Sequence, residues 1–515
     1  MITLGDIVRK GAIRFPDCEA VVFENTRLTY KELNERVNRF ANKLTEKGYK
    51  KGDRLVILSE NTHKYLEVYF AAAKNGMSVT PLNFRLSDSE LEHIIKDSEA
   101  ACLIVGQGYE SRISAMREKL SHIRDWITLD NEQKGFLFYE ELIQNGAGHE
   151  PAVDVDENDM AILMYTGGTT GLPKGVMLSH RNLWTVFINF AISLRFTQDD
   201  ITCFILPLFH VSFWPAMTIL MFGGKVAVVR RPELVEILKT IANEKCTHIN
   251  AVPTIYAWLL QLPEIDDYDL SSLRCMSYAG SPMPREVLIK CITKFGNIFE
   301  QLYGATEALP LTALSAAEHV LEGERSRLLL SAGREVLGAD IRIVDENDVP
   351  VKPGEIGEVA IRGRMVMLGY WKNPQLTAET VRNGWHHMGD MGYVDEEGYL
   401  FLVDRKADMI VTGGENVYPK ETEDVLYEHS AVMECAVVSA PDEKWGERVH
   451  AVVVFKAGMS ATEEELIAHC KAHLAAYKCP KNIESMDELP KTPVGKILRK
   501  DLKARLWKNK ERTIG

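Results

Sequence analysis

Paired cysteines are missing from this chain of 515 residues. Its nine cysteines are odd in number, scattered and without any CxxC spacing. Such a pattern does not describe the disulfide framework of a secreted domain. We therefore expect structural thiols in a reducing compartment, and we place the protein in the cytoplasm.

The sequence also lacks the pattern of a signal peptide and that of a membrane-spanning helix. Residues 2–15 mix charges into their apolar positions, unlike a secretory leader. The most membrane-like stretch, residues 201–229, is interrupted by Pro207, His210, Pro215 and the Gly223–Gly224 pair. A spanning helix does not tolerate such breaks, so we expect a buried strand, loop, helix and strand. A peripheral contact of this stretch with a membrane surface is the alternative.

Positive charge is in short supply. The chain has 60 Lys and Arg residues against 73 Asp and Glu, which gives a formal net charge of −13. This balance argues against nucleic acid or an anionic membrane as a general partner. A polyanionic ligand would therefore need a locally positive site on an acidic molecule.

Disordered segments, low-complexity linkers and internal repeats are not visible either. The composition is 46% hydrophobic and 26% charged, as in globular proteins. Because 515 residues exceed what one compact core accommodates, we expect at least two domains.

Helical and strand periods alternate in the first part of the chain. The apolar spacing predicts a helix over residues 30–44, a strand over 54–58, a helix over 62–74 and a strand over 78–82. A similar alternation recurs over residues 201–276. Strand–helix–strand units of this kind imply mixed or parallel sheets covered by helices.

The pattern changes from Gly333 onward to short strands separated by turn residues, and after residue 403 to a small α+β unit. We place the domain boundary there, with an N-terminal domain over 1–403 and a C-terminal domain over 404–515. The second unit has predicted strands near 435–438 and 449–455, a predicted helix over 462–474 and a basic final helix from Lys496. Leu498, Leu502 and Leu506 lie on one face of that last helix, which we expect to pack against its own domain.

The strongest local signal is Tyr165-Thr-Gly-Gly-Thr-Thr-Gly-Leu-Pro-Lys-Gly175, which follows an apolar strand-like run over residues 160–164. Glycines let successive backbone N–H groups converge on an anion, and hydroxyls add donors. Lys174 supplies a compact positive charge for outer phosphates. The segment is not a Walker A loop, because Pro173 precedes the lysine and Gly175 follows it. The alternative is a plain surface turn, but a turn does not require so many glycines and threonines together with a lysine.

Seven further motifs follow this loop in order. They are Leu206-Pro-Leu-Phe-His210, Gly280-Ser-Pro-Met-Pro284, Tyr303-Gly-Ala-Thr-Glu307, Trp385-His-His-Met-Gly-Asp390, Asp404-Arg-Lys-Ala-Asp408, Gly413-Gly-Glu-Asn-Val-Tyr-Pro419 and Pro493-Val-Gly-Lys496. With them the chain resembles, over essentially its whole length, the adenylate-forming superfamily of acyl-CoA synthetases, firefly luciferase and peptide-synthetase adenylation domains. Its pattern is most similar to that of fatty acyl-CoA synthetases.

The resemblance implies an α/β fold and a two-step ligase. The expected fold has a large N-terminal domain of helix-covered mixed sheets plus a distorted β-barrel, and a small mobile α+β C-terminal domain. The expected reaction turns a carboxylic acid and MgATP into acyl-AMP and pyrophosphate, and then coenzyme A into acyl-CoA with release of AMP. Rotation of the C-terminal domain about a hinge at Ala407, where relatives usually have Lys or Asp, would separate the two steps.

The resemblance also assigns the nucleotide site. The predicted ATP- and AMP-binding residues are Thr166, Gly167, Gly168, Thr169, Thr170, Gly171, Lys174, Gly280, Ser281, Gln301, Leu302, Tyr303, Gly304, Thr306, Asp390, Arg405 and Lys496. Within this set Gln301 would read the adenine amino group, and Asp390 would accept the ribose hydroxyls. Glu307 and Thr166 would hold Mg²⁺, a hard ion that prefers oxygen ligands. The predicted catalytic residues are Lys174, His210, Thr306, Glu307 and Lys496, the last bridging the carboxylate and the α-phosphate.

Two further sites are implied for the acyl acceptor and the acid. The predicted coenzyme A residues are Gly413, Gly414, Glu415, Trp445, Tyr477 and Lys481. The predicted acyl pocket consists of His210, Val211, Trp214, Tyr278, Ala279, Gly304 and Leu309. Residues 210–214 include no acidic residue that could pair with an ammonium group, which disfavours an amino acid as substrate. Trp214 either gates an acyl tunnel, as in fatty acyl-CoA synthetases, or belongs to the core.

Several alternatives stay open at this level. The preferred acid is a medium- or long-chain fatty acid, and an aryl or alicyclic acid is the alternative. The acceptor is coenzyme A or, in a rival interpretation, a carrier protein. A luciferase-like oxygenase and a non-catalytic nucleotide-binding protein are the remaining rivals, and a homodimer is compatible with the resemblance. A metal site at His469 and His473 is disfavoured, because no third ligand has a suitable spacing.

Overall fold

The computed structural model describes residues 3–166, 173–281, 283–406, 408–412, 415–442, 444–491 and 497–507. The α-helices, in chain order, are α1 (Gly5–Arg14), α2 (Tyr30–Glu46), α3 (His63–Lys74), α4 (Asp88–Asp97), α5 (Glu110–Ser114), α6 (Tyr139–Gln144), α7 (His180–Leu194), α8 (Trp214–Phe222), α9 (Leu234–Glu244), α10 (Pro253–Leu259), α11 (Arg285–Phe295), α12 (Pro374–Thr380), α13 (Pro419–Glu428), α14 (Glu463–His473) and α15 (Arg499–Leu506).

The strands, in chain order, are β1 (Glu19–Phe23), β2 (Thr26–Thr29), β3 (Arg54–Leu58), β4 (Ser78–Pro81), β5 (Cys102–Val105), β6 (Asp125–Thr128), β7 (Leu137–Phe138), β8 (Met160–Thr166), β9 (Lys174–Ser179), β10 (Ile201–Phe204), β11 (Lys225–Val228), β12 (His248–Ala251), β13 (Cys275–Tyr278), β14 (Phe299–Ala305), β15 (Ala308–Leu314), β16 (Arg334–Glu335), β17 (Ala339–Val344), β18 (Gly357–Gly363), β19 (Gly369–Tyr370), β20 (Val381–Arg382), β21 (Trp385–Val394), β22 (Leu400–Arg405), β23 (Ile410–Thr412), β24 (Glu415–Val417), β25 (Val432–Asp442), β26 (Gly446–Phe455) and β27 (Asn482–Ser485).

Two large mixed sheets form the bulk of the N-terminal part. One has nine strands in the order β16-β15-β14-β13-β12-β10-β11-β1-β2, and the other has eight in the order β19-β9-β8-β4-β3-β5-β6-β7. In the first sheet β10 to β14 and β1 run parallel, while β2 pairs antiparallel with β1 and β15 pairs antiparallel with both β14 and the edge strand β16. The largest hydrophobic core includes residues of both sheets and of the helices α2, α3, α7 and α8.

A third, five-stranded antiparallel sheet, with β17-β18-β21-β20 in order and β22 beside β21, forms a half-barrel where the sequence predicted a distorted barrel. The predicted domain boundary after residue 403 falls within β22 and stays a prediction.

The C-terminal part folds around a fourth sheet, in the order β24-β23-β26-β25 with β27 beside β26. Alternating residues of β25 point to opposite faces, as a strand requires. Cys435 and Val437 pack with Leu426 of α13 and Leu466 of α14, and on the other face Val438 packs with Leu502 of α15. The predicted packing of the last helix against its own domain is therefore confirmed.

The membrane-like stretch folds as the sequence predicted, with β10, a loop, α8 and β11 in succession. Trp214, Met217 and Leu220 of α8 are fully buried. In the part of the chain that the structure describes, no helix combines the length and the apolar character needed to cross a membrane. All nine cysteines are free thiols, as predicted.

Candidate active site

Several predicted site residues lie at the carboxyl ends of the parallel strands β10, β13 and β14. His210 follows β10, Tyr278 ends β13, Gln301 and Tyr303 lie on β14, and Glu307 lies in the turn from β14 to β15. Open sheets of this kind bind ligands in the crevice outside the carboxyl ends of their strands. The fold thus brings together motifs that are separated by about a hundred residues in the sequence.

One cluster joins Lys174, Glu307 and Tyr370. The Nζ atom of Lys174 lies 3.2 Å from Oε1 of Glu307 and donates to the Tyr370 hydroxyl at 2.8 Å. The Tyr370 hydroxyl in turn donates to Oε1 of Glu307 at 2.8 Å. The same Nζ atom lies 4.3 Å from the centre of the Tyr370 ring, within reach of a cation–π contact. The cation and the carboxylate are therefore held at a fixed separation by a shared hydroxyl.

The carboxylate of Glu307 is ionised although it is buried. Burial alone would raise its pKa, but the Lys174 charge and the Tyr370 hydrogen bond outweigh burial and hold the pKa below its usual value. The neighbouring His386 behaves differently, because burial lowers its pKa to about 4 and leaves the ring neutral near pH 7. Lys174 and Glu307 thus supply the charges of this cluster.

Thr166 ends β8 directly opposite Lys174, which begins the antiparallel strand β9. Its Oγ1 atom is buried and has no hydrogen-bond partner among the residues that the structure describes. An unpaired buried hydroxyl is costly unless a ligand satisfies it. The predicted phosphate-loop residues Gly167, Gly168, Thr169, Thr170 and Gly171 lie outside the described residues.

A second cluster joins Asp390, Tyr303 and Arg405. The Tyr303 hydroxyl donates to Oδ2 of Asp390 at 2.5 Å, and Nε of Arg405 lies 2.6 Å from Oδ1. Asp390 and Arg405 face each other across the strands β21 and β22, so the half-barrel presents this ion pair to the end of β14. Asp390 is 6% exposed, which makes it a fixed, largely desolvated acceptor.

Gln301 is held from behind by a buried tyrosine. The Tyr278 hydroxyl lies 3.1 Å from the Gln301 side-chain amide and 2.9 Å from Nε2 of His319. Tyr278 was predicted to line the acyl pocket, and its hydroxyl points to the predicted adenine-reading residue. Gly280, which follows β13, has a φ of 85° that favours glycine.

The predicted acyl-pocket residues lie around the start of α8 and the turn after β14. Trp214 is fully buried and stands in an edge-to-face contact with Phe213, and its Nε1 has no acceptor among the described residues. A Cβ atom on Gly304 would lie 2.7 Å from Cδ1 of Leu309, so the two chain segments are in close contact there. His210 accepts the backbone N–H of Ser212 through Nδ1 at 3.4 Å.

The remaining pocket, nucleotide and acceptor residues are placed as follows. Val211 and Leu309 are buried and Ala279 is half-buried at the wall of the main core, Leu302 and Thr306 are buried, and Ser281 follows Gly280. Trp445 and Tyr477 are 44% and 39% exposed on the C-terminal part, and Lys481 and Glu415 are exposed there as well. Gly413, Gly414, the predicted hinge residue Ala407 and the predicted catalytic lysine Lys496 lie outside the described residues.

Sequence reasoning missed three residues at this site. Tyr370 and His319 form hydrogen bonds with site residues, and His386 lies within electrostatic range of Glu307 and Lys174. His386 lies inside a quoted motif, so the sequence marked its position, but no role was assigned to it. Tyr370 and His319 lie in segments without a motif, and only their folded contacts reveal them.

Comparison with known proteins adds family and structural similarity to this geometry. The sequence profile of a family described as AMP-binding enzyme matches residues 8–371, and the profile described as AMP-binding enzyme C-terminal domain matches residues 421–496. A feruloyl-CoA synthase from Amycolatopsis sp is 37% identical over 98% of this chain and 99% of its own length. A long-chain-fatty-acid–CoA ligase, FadD13 from Mycobacterium tuberculosis (strain ATCC 25618 / H37Rv), is 34% identical over 97% of both chains. The crystal structure of the anthranilate CoA ligase AuaEII in complex with anthranoyl-AMP superposes with a TM-score of 0.91 at 26% identity, over 98% of this chain and 97% of that one.

Proposed function

Because the chain belongs to the AMP-binding enzyme family, we propose that it is an AMP-forming acyl-CoA synthetase. In the proposed reaction a carboxylate oxygen attacks the α-phosphorus of ATP and displaces pyrophosphate. The thiol of coenzyme A then attacks the acyl carbon and releases AMP. The observation that carries the proposal is the pairing of a Lys174–Tyr370–Glu307 cluster with an Asp390–Tyr303–Arg405 cluster around one crevice.

The first cluster supplies what the phosphates need. Lys174 offers a cation at the start of β9, and Thr166 offers a buried hydroxyl that has no partner among the described residues. Phosphoryl chemistry depends mainly on positioning and on spreading the developing charge over fixed donors. When ATP binds, we expect the ammonium group of Lys174 to interact with the outer phosphates as well as with Glu307.

The donor set also fits Mg²⁺. Glu307 is a buried, ionised carboxylate, and Mg²⁺ in nucleotide sites is typically held by one or two carboxylates together with phosphate oxygens and waters. We propose that Glu307 and Thr166 hold the ion, which would neutralise phosphate charge. The residues of the chain would fix the position of the triphosphate.

The second cluster suits the ribose. Asp390 presents a carboxylate whose neighbours, Tyr303 and Arg405, hold it in place, and a carboxylate can accept hydrogen bonds from two hydroxyl groups at once. The experiment is to replace Asp390 with Asn and measure the KM for ATP in acid-dependent pyrophosphate release. We expect the KM to rise by roughly ten- to a hundredfold, the range of hydrogen bonds to a charged group.

A substrate lacking a hydroxyl provides the control for Asp390→Asn. The wild-type enzyme should lose affinity when 2′-deoxy-ATP replaces ATP, whereas the variant should lose less, because the two changes remove the same contact. Equal losses in both proteins would show that Asp390 acts elsewhere.

The acid is proposed to be hydrophobic. We favour a medium- or long-chain fatty acid from the sequence pattern, with an aryl acid as the second candidate. The aryl candidate is supported by the fully buried Trp214, beside Phe213, whose ring stacks on Tyr69 at 4.6 Å. The relatives named for feruloyl-CoA and for long-chain fatty acids have similar identities, so they do not separate the two.

A panel of acids separates the two candidates. Straight-chain acids of increasing length and ring-substituted aromatic acids would be compared by the rate of pyrophosphate release. If Trp214 moves aside and opens a tunnel, as the favoured candidate requires, long-chain acids should turn over faster in the wild type. If Trp214 keeps its position, aryl acids should turn over faster and Trp214→Ala should raise the rate with long-chain acids. A long-chain preference in the wild type with no gain in Trp214→Ala would contradict the aryl candidate. The same assay with coenzyme A or a carrier protein as acceptor identifies the second substrate.

A further inference from the structure

Three groups stand in a row behind the side chain of Gln301. The Tyr278 hydroxyl lies 3.1 Å from the Gln301 amide and 2.9 Å from Nε2 of His319. On the far side of the imidazole, Nδ1 of His319 lies 2.8 Å from the backbone carbonyl oxygen of Ser315. Tyr278 and His319 are each 1% exposed, and the two rings meet edge to face. The proposed reaction uses neither Tyr278 nor His319.

The protons in this row can be assigned from its Ser315 end. A carbonyl oxygen only accepts, so Nδ1 of His319 carries a proton. Burial lowers the pKa of His319 to about 4, and the ring is therefore neutral with a lone pair on Nε2. The single hydroxyl proton of Tyr278 is donated to that lone pair. Toward Gln301 the Tyr278 oxygen can then only accept.

This assignment fixes the side-chain amide of Gln301. The amide atom near Tyr278 stands as Oε1, but an amide oxygen and nitrogen exchange places by a half-turn and are assigned from their partners. Only the NH₂ group can donate to the Tyr278 oxygen, so the nitrogen belongs on that side. Among the described residues the Gln301 side chain has no other hydrogen-bond partner, which leaves its amide oxygen for a ligand.

We propose that His319 is a positioning residue for base selection, which acts through Tyr278 to hold the Gln301 amide oxygen toward the nucleotide base. The inference rests on the proposed function and on the predicted role of Gln301, which is to meet the amino group at position 6 of the purine. A 6-amino purine donates a hydrogen bond to that oxygen. A 6-oxo purine presents a second acceptor to it, which leaves both oxygens without a donor.

The test replaces His319 with Leu and measures the dissociation constants of ATP and inosine triphosphate by calorimetry. Inosine triphosphate carries an oxygen where ATP carries the 6-amino group. Without an imidazole acceptor, the Tyr278 hydroxyl is free to donate to Gln301, whose amide then turns its NH₂ group toward the base. We expect the wild-type protein to prefer ATP and the preference to fall by roughly three- to tenfold or to reverse in His319→Leu, the size of one neutral hydrogen bond.

Two further variants separate positioning from a general loss of structure. His319→Gln keeps a carbonyl acceptor for Tyr278 and should retain the preference for ATP. Tyr278→Phe breaks the row without supplying a donor to Gln301, so the preference should weaken without reversing. A loss of affinity by the same factor for both nucleotides in His319→Leu, or an unchanged preference in Tyr278→Phe, would overturn the inference.

Direct binding keeps this inference distinct from the proposed function. Should the wild-type protein bind ATP but release no pyrophosphate with any acid, the proposed enzyme activity would fail. The ratio of the two dissociation constants would still decide the role of His319.

Discussion

Glu307→Gln is expected to lower the rate of acid-dependent pyrophosphate release by a factor on the order of 10²–10³, the usual effect of removing one preorganised group from such a site. Glutamine keeps the side-chain volume and can still accept from the Tyr370 hydroxyl, but it removes the negative charge 3.2 Å from Lys174. The variant should also need a higher Mg²⁺ concentration for half-maximal rate, because a neutral amide is a weaker ligand for a hard cation. A Mg²⁺ titration of the rate measures both effects.

Tyr370→Phe is the matched control for this substitution. It removes the hydrogen bond that joins Lys174 and Glu307 while leaving both charges in place. We expect a smaller loss, about tenfold, and a Mg²⁺ requirement close to that of the wild type. Glu396→Gln, at an exposed turn residue, should change neither quantity. An unaltered Mg²⁺ requirement in Glu307→Gln would remove the proposed metal-binding role.

The family and fold were predicted from the sequence because the family signature is local. Each quoted motif is a short run of residues, and the matches of the two family profiles and the superposition on AuaEII confirm the predicted superfamily and the predicted α/β fold. The strand over residues 54–58 is confirmed by β3, and the helix over 62–74 by α3. Thr62 caps α3 with its side chain and stands just before the helix, which explains the one-residue difference.

Strand ends were less predictable where pairing extends beyond the apolar run. The strand predicted near residues 435–438 extends over Val432–Asp442, because its antiparallel partner β26 continues to pair with it through Pro441 and Asp442. Neither of these two residues is typical of a strand interior. An apolar pattern in the sequence indicates which residues are buried. The length of a strand also depends on how far the adjacent strand continues to pair with it.

The parts of the site that the sequence did not predict are contacts between residues far apart in the chain. Tyr370 contacts Glu307 across 63 residues of sequence and lies on the two-residue strand β19, too short to leave a periodic pattern. His319 reaches Tyr278 across 41 residues and follows a short 3₁₀ turn. Each residue acts through hydrogen bonds to a distant side chain, and the local sequence around a residue does not reveal such a partner. The motifs therefore predicted the residues proposed to touch ligands, but not Tyr370 and His319, which contact those residues from segments without a motif.

Lys496→Ala is expected to separate the two half-reactions. In the proposed adenylation step this lysine bridges the substrate carboxylate and the α-phosphate, a contact that matters while negative charge builds up between them. Its loss should slow acyl-AMP formation by a factor on the order of 10²–10³. Formation of the thioester from supplied acyl-AMP should be largely retained, because the α-phosphate bond is then already made. Each half-reaction is measured alone, by pyrophosphate release without coenzyme A and by thioester formation from synthetic acyl-AMP.

The neighbouring helix α15 offers a matched control for the lysine. Lys500→Ala removes the same charge from an exposed position four residues further along the chain and should leave both half-reactions near the wild-type rate. The difference between Lys496→Ala and Lys500→Ala then measures the position of the charge and not the net charge of the domain. Equal losses in both half-reactions of Lys496→Ala would point to a general effect on the C-terminal domain. A loss confined to thioester formation would assign the lysine to the opposite step, since a group that stabilises only one transition state slows only that reaction.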